Sequence, residues 1–209
     1  DVASGVPVDF WEEAIAKLRA EKDVFMLAEA WEPELMKGQK LFDMAYSWEG
    51  HHLLNKIAKG EQGVKEWDAY MLKMDNDYED DDILMNFITN HDENSWNGTV
   101  KERLGDAAGI MTALSYTLPG MPLIYSGQEA GIDKRLSFFE KDNIEWGDFS
   151  MHEFYKKVLH LKKNNKALWN GKYGGKIDVL QNTSPNTIFS FVRQQGDNKV
   201  LTILNLSAD

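Results

Sequence analysis

The chain has 209 residues, 43% of them hydrophobic and 27% charged, the make-up of an ordinary soluble globular protein with one large domain, or one domain and part of another. A formal net charge of −11 argues against nucleic acid or an anionic membrane as the main partner, without selecting a ligand. Cysteine is absent, which excludes a disulfide, a thiolate nucleophile and a thiolate metal site, and no apolar run reaches the length of a membrane span.

Residues 1–7 enter a loop directly, with no initiating methionine and no signal-peptide pattern, so any targeting segment would lie upstream. Asp9 reads as a helix N-cap supported by Glu12, and Phe10, Trp11, Ala14, Ile15 and Leu18 follow at helical spacing. Residues 24–28, Val-Phe-Met-Leu-Ala, read as a buried strand that ends in the charged and aromatic group Glu29-Ala30-Trp31-Glu32-Pro33. Helix and strand in this order suggest parallel crossover units. Residues 41–48 are a weaker strand candidate, followed by helical material through 51–54 and 64–74. His51 and His52 read as solvated helix residues. The acidic run 75–82 lacks the loop glycine and spaced ligands of an EF-hand, and reads as a solvated connection.

The next stretch, residues 83–92, begins as the apolar run Ile-Leu-Met and ends in Asn90-His91-Asp92. It is too short for a typical helix and is rich in strand formers, so it reads as an interior strand. An amide, an imidazole and a carboxylate at its carboxyl end sit where barrel and open α/β enzymes keep their chemistry. After Asn97-Gly98 a helix is expected over residues 102–118, stopped by Pro119-Gly120, and residues 121–125 form the next buried strand. Residues 132–149 are an irregular connection of a length that usually carries function. Ser150 and Glu153 read as a capping box for a last helix with Phe154, Val158, Leu161 and Leu168 on one side. Beyond Gly174-Gly175 the runs 177–180, 187–192 and 200–204, separated by turn-rich segments, read as an antiparallel β module. A boundary near residue 170 follows, with residues 1–170 as one unit and 171–209 as another.

These segments resemble a known family in the correct order. Residues 87–92, Phe-Ile-Thr-Asn-His-Asp, resemble the fourth signature of the α-amylase family of glycoside hydrolases. Residues 120–129, Gly-Met-Pro-Leu-Ile-Tyr-Ser-Gly-Gln-Glu, look like that family's last barrel strand and the loop after it. Residues 26–31, Met-Leu-Ala-Glu-Ala-Trp, are similar to the segment holding its proton donor, and Asp1-Val2-Ala3 to the tail of the signature carrying its nucleophile. The resemblance implies an α/β fold, the carboxyl-terminal half of a (β/α)8 TIM barrel (strands five to eight), followed by part of an antiparallel β-sandwich domain. It implies a retaining glycosidase that cleaves α-glucosidic bonds in starch, maltodextrin or related glucans. Such chemistry wants one carboxylate as nucleophile and a second carboxyl as acid and then base. By resemblance these are Asp1 and Glu29. Asp92 would bind sugar hydroxyls and support the transition state, with His91, Asn90 and Trp31 as substrate-binding residues. Glu129 is expected to make a structural hydrogen bond. The expected partner is an α-glucan oligosaccharide or polysaccharide, with no nucleic acid and no membrane span.

Departures from the family pattern carry their own expectations. Where many members have a Lys-His pair that serves sugar and calcium, this chain has Ser4-Gly5. No cofactor and no metal ligand is therefore assigned, and calcium is left to the intact enzyme. The arginine that normally precedes the nucleophile is missing, as is the first half of the barrel. Four strands of eight would expose an edge on each side and much of the interior. The 209 residues alone are accordingly expected to be inactive. Rival functions are an α-glucan transglycosylase or isomerase using the same acids, and a glucan-binding protein without activity. Location is left open, with an extracellular or periplasmic setting favoured over the cytoplasm.

Overall fold

The computed structural model describes residues 1–36 and 40–207; residues 208–209, the end of the expected β module, lie outside that range. Helix α1 (Val8–Glu21) leads to strand β1 (Leu27–Ala28). Strand β2 (Met44–Tyr46) follows, then helices α2 (Trp48–Ala58) and α3 (Val64–Asp77). Strand β3 (Ile83–Asn86), a π-helical turn (Glu93–Asn97), helices α4 (Val100–Leu104) and α5 (Ala108–Thr117), strand β4 (Met121–Pro122) and helix α6 (His152–Asn164) complete the first part. Strands β5 (Ile177–Val179), β6 (Ile188–Gln195) and β7 (Asn198–Asn205) close the chain. Among the described residues no helix is long and apolar enough to cross a membrane.

β1 to β4 pair in sequence order as one parallel sheet, with helices in the connections, so every crossover returns the chain in the same direction. The two-residue period of β2 sorts its side chains. Ala45 packs with Ala28, Leu35, Phe42 and Ile15 under α1, while Met44 and Tyr46 join Met85 and Phe87 on the other face. The sheet is open. Its edge residues Leu27 and Met121 are exposed, while the central Met44 and Met85 are buried beneath Trp48 and Leu123. Of the expected exposure, the edge residues show it, while the middle of this face is covered by packing with Tyr46, Trp48, Phe87 and Leu123.

β5, β6 and β7 form a separate antiparallel sheet. Among the described residues it is a single layer. Its inner face, Phe189 and Phe191, packs with Leu53, Trp67 and Leu114 from α2, α3 and α5 into one core. Arg193 of β6 is 1% exposed and clamps this junction. Its guanidinium donates to the carbonyls of Thr117 and Leu118 at the end of α5, and to those of Leu168, Trp169 and Gly175.

Local details depart from the expected ones for physical reasons. The helix over 102–118 is two helices, because Gly105 adopts φ +50 between them and a 3-10 turn follows. The first of these is capped by Thr99, whose hydroxyl accepts from Glu102 N while Glu102 reaches back to Thr99 N. No capping box forms at Ser150 and Glu153; the Ser150 hydroxyl donates to the Ala130 carbonyl, and Met151 is the N-cap. Asp9 lies inside the first turn of α1, with Pro7 as N-cap. Residues 132–149 hold no helix or strand, as expected. At Gly120, with φ +111, an added Cβ would stand 2.3 Å from the Leu84 carbonyl, so the turn into β4 needs glycine.

Candidate active site

Three side chains from two strand ends converge. Glu29 follows β1 directly, and His91 and Asp92 follow β3 after the buried run from Phe87 to Asn90. His91 Nε2 lies 3.6 Å from Glu29 Oε1 and 3.7 Å from Asp92 Oδ2. Taken as a group, one ligand atom from each of Glu29, His91 and Asp92 lies within 4.8 Å of the others. Such a cluster has donors a cation could use, and it equally has the two carboxyl groups that glycosidic chemistry requires.

Tyr46, at the end of β2 between these strands, faces the same charges. Its burial first, and then the fields of Glu29 and Asp92, push the ionisation of its hydroxyl up, so the phenol stays a hydrogen-bond donor. The sequence reading overlooked it, since a tyrosine in a short apolar run carries no signal of its own.

The other expected residues are placed as follows. The carboxyl of Asp1 does not join the cluster; its side chain is 94% exposed, and the terminal ammonium stands 4.0 Å from Glu29 Oε2. Val2, with φ +46, donates its N–H to the same oxygen at 3.3 Å. Asn90 is buried and closes the turn, its Oδ1 accepting from Glu93 N at 2.8 Å, while its Nδ2 has no partner among the described residues. Trp31 is half exposed, its carbonyl accepting from the Tyr78 hydroxyl. Glu129 accepts from Gly127 N at 3.2 Å, a structural bond of the expected kind.

His51 corrects the sequence reading. It is 1% exposed, stacked on Phe87 at 4.5 Å between ring centroids, because α2 turns this face onto the end of β3. One ring nitrogen lies 3.0 Å from the Phe87 carbonyl and the other 3.0 Å from Glu93 Oε2. Asn97 donates to Glu93 Oε1, and Arg103 stands 3.9 Å from Glu93 while bonding Asn55, Ile88 and Gly98. Burial works against the charge of Glu93, but the hydrogen bond and charge of His51, the Asn97 amide and Arg103 outweigh it. They hold the carboxyl below its usual range. This buried network anchors the turn that begins at Asp92. His52, the other member of the pair, is exposed as expected.

A parallel sheet of successive βα units with acids and an imidazole at its carboxyl ends is the arrangement of a TIM-barrel-type enzyme. Residues 6–170 match the family described as "Alpha amylase, catalytic domain". The chain belongs to the α-amylase family of glycoside hydrolases. It is 25% identical over 171 residues to α-amylase MalA of Haloarcula japonica, covering 80% of this chain and 25% of that protein. It is 20% identical over 241 aligned positions to α-amylase 3 of Dictyoglomus thermophilum, covering 96% of this chain and 46% of that one. Among solved structures, the noncanonic maltogenic α-amylase AmyB from Thermotoga neapolitana superposes with TM-score 0.85 at 24% identity, over 99% of this chain and 47% of that chain. The ligand-free cyclic α-maltosyl-(1→6)-maltose hydrolase from Arthrobacter globiformis superposes with TM-score 0.79 at 19% identity, over 98% and 47%. This chain spans less than half the length of each of these proteins.

Proposed function

We propose that this chain supplies the acid/base and sugar-binding groups of a retaining glycosidase acting on α-glucosidic bonds of starch, maltodextrin or related glucans. The observation that carries the reading is the convergence of Glu29, His91 and Asp92 at the carboxyl ends of one parallel sheet. Glu29 protonates the leaving oxygen and then activates water; Asp92 holds sugar hydroxyls and offsets positive charge developing on the ring; His91 donates to a neighbouring hydroxyl. Asp1 is the proposed nucleophile. In the same reading residues 1–170 belong to the catalytic barrel and residues 171–209 begin a carboxyl-terminal β domain. Transfer to a sugar hydroxyl instead of water would use the same acids, and product analysis separates the two.

The test joins this chain to the part of the Thermotoga neapolitana enzyme that it does not cover, so that the sheet can close. The folded chimera is expected to release glucose or maltose from maltodextrin, and the 209 residues alone to release none. A folded chimera without any activity on α-glucans would overturn the proposal.

A further inference from the structure

Beside the carboxylate cluster lies a set of aromatic rings that the hydrolytic chemistry leaves unused. Trp96 is 56% exposed, Phe138 39% and Phe139 82%. Trp96 and Phe138 lie 5.1 Å apart between centroids, Phe138 and Phe139 4.8 Å, and Trp96 and Phe139 6.1 Å, so the three form one patch. Phe138 in turn stacks on His91, at 5.9 Å and 24° between planes. The patch therefore runs without a break into the group of Glu29, His91 and Asp92. It borders a groove of about 410 Å³ whose rim adds Ser95, Arg135 and Glu140.

The patch is held in place from below. Asn94 donates to the Lys134 carbonyl and accepts from Leu136 N, at 3.0 and 2.8 Å, and the Ser95 hydroxyl donates to the Leu136 carbonyl at 2.7 Å. Arg135 adds a two-pronged bond to Glu102, at 2.8 and 3.0 Å. These bonds fasten the irregular segment after β4 to the turn after β3, so the rings are presented already ordered. Large aromatic surfaces left in water next to a polar cleft mark a binding face, and ordering it in advance lowers the cost of binding.

We infer that Trp96, Phe138 and Phe139 form a sugar-stacking subsite that receives an α-glucan chain extending from the carboxylate cluster. The inference rests on the glycosidase reading. A hexose ring has an apolar face of C–H groups and a polar rim of hydroxyls. The first matches the exposed rings, the second the hydroxyl, guanidinium and carboxylate around the groove.

The test measures binding of maltohexaose and maltotriose to this chain by calorimetry, with the indole N–H of Trp96 followed by NMR. Trp96→Ala and Phe139→Ala are each expected to weaken maltohexaose at least about tenfold, with a smaller effect on maltotriose, and Trp96→Phe to retain most of the affinity. Both aromatic positions are exposed, and the thermal midpoints of the variants show that folding is kept. Asp92→Asn separates the two readings. If it weakens maltohexaose while both alanine variants bind as the wild type does, the subsite is overturned and the glycosidase reading stands. If the alanine variants lose affinity and Asp92→Asn does not, the subsite stands and the reading of the carboxylate cluster fails. If wild type binds no maltooligosaccharide and the Trp96 signal never moves, the subsite is overturned.

Discussion

At the scale of single residues, the candidate site rests on buried groups behind it. His51 and Glu93 are both buried, and together with Arg103 and Asn97 they fix the turn that carries Asp92. Removing one partner of a buried pair leaves the other charge uncompensated, so His51→Ala is expected to cost about 3–5 kcal/mol in urea unfolding. His52→Ala, one position on and exposed, should stay within about 0.5 kcal/mol. The pH dependence has a definite sign. The Glu93 carboxyl is held below its usual range in the folded state, so its contribution is present above the unfolded carboxylate pKa and is lost as pH falls through the lower folded value. Glu93→Gln should flatten the stability profile below about pH 4.3 and leave its shape near neutrality unchanged. An unaltered acid limb would mean that Glu93 is not held this way. Glu29, His91 and Asp92 were legible in the sequence through the family resemblance of the segments that hold them, each at the end of an apolar strand run. His51 was not, because its burial depends on Phe87, a residue far along the chain whose ring meets it only after α2 and β3 have packed.

At the scale of elements, the strands were legible as apolar runs; pairing in the parallel sheet uses only part of each run, whereas β6 and β7 pair beyond theirs. The break between α4 and α5 was hidden because the apolar stripe continues across Gly105, and only its positive φ shows that the axis cannot. The seating of β6 was equally hidden, because a strand arginine reads as a solvent-facing residue. Instead Arg193 donates to five carbonyls, and burial lowers its pKa to about 10. Arg193→Met keeps much of the volume but strands those acceptors. It is expected to cost at least about 3 kcal/mol, since hydrogen bonds to a charged group are worth about 1.5–3 kcal/mol each. Hydrogen exchange should show β6 and β7 losing protection first. Wild-type stability in this variant would remove the clamp from the account.

For the molecule as a whole, an open four-stranded parallel sheet with exposed Leu27 and Met121 at its edges meets the geometry of a barrel only when further strands close it. The cluster at its carboxyl end and the aromatic patch beside it nevertheless lie within this chain, the patch fastened by side-chain bonds between the segments after β3 and β4. The central proposal is that Glu29 is the proton donor of a retaining glycosidase acting on α-glucosidic bonds, and the most direct measurement is made on Glu29→Gln in the closed-barrel chimera. Its turnover of maltodextrin is compared with its first-step rate on a glucosyl fluoride, whose leaving group needs no proton. The account predicts a loss of at least ~10²-fold on maltodextrin and a much smaller loss in glucosylation by the fluoride. Equal losses on both substrates would contradict it.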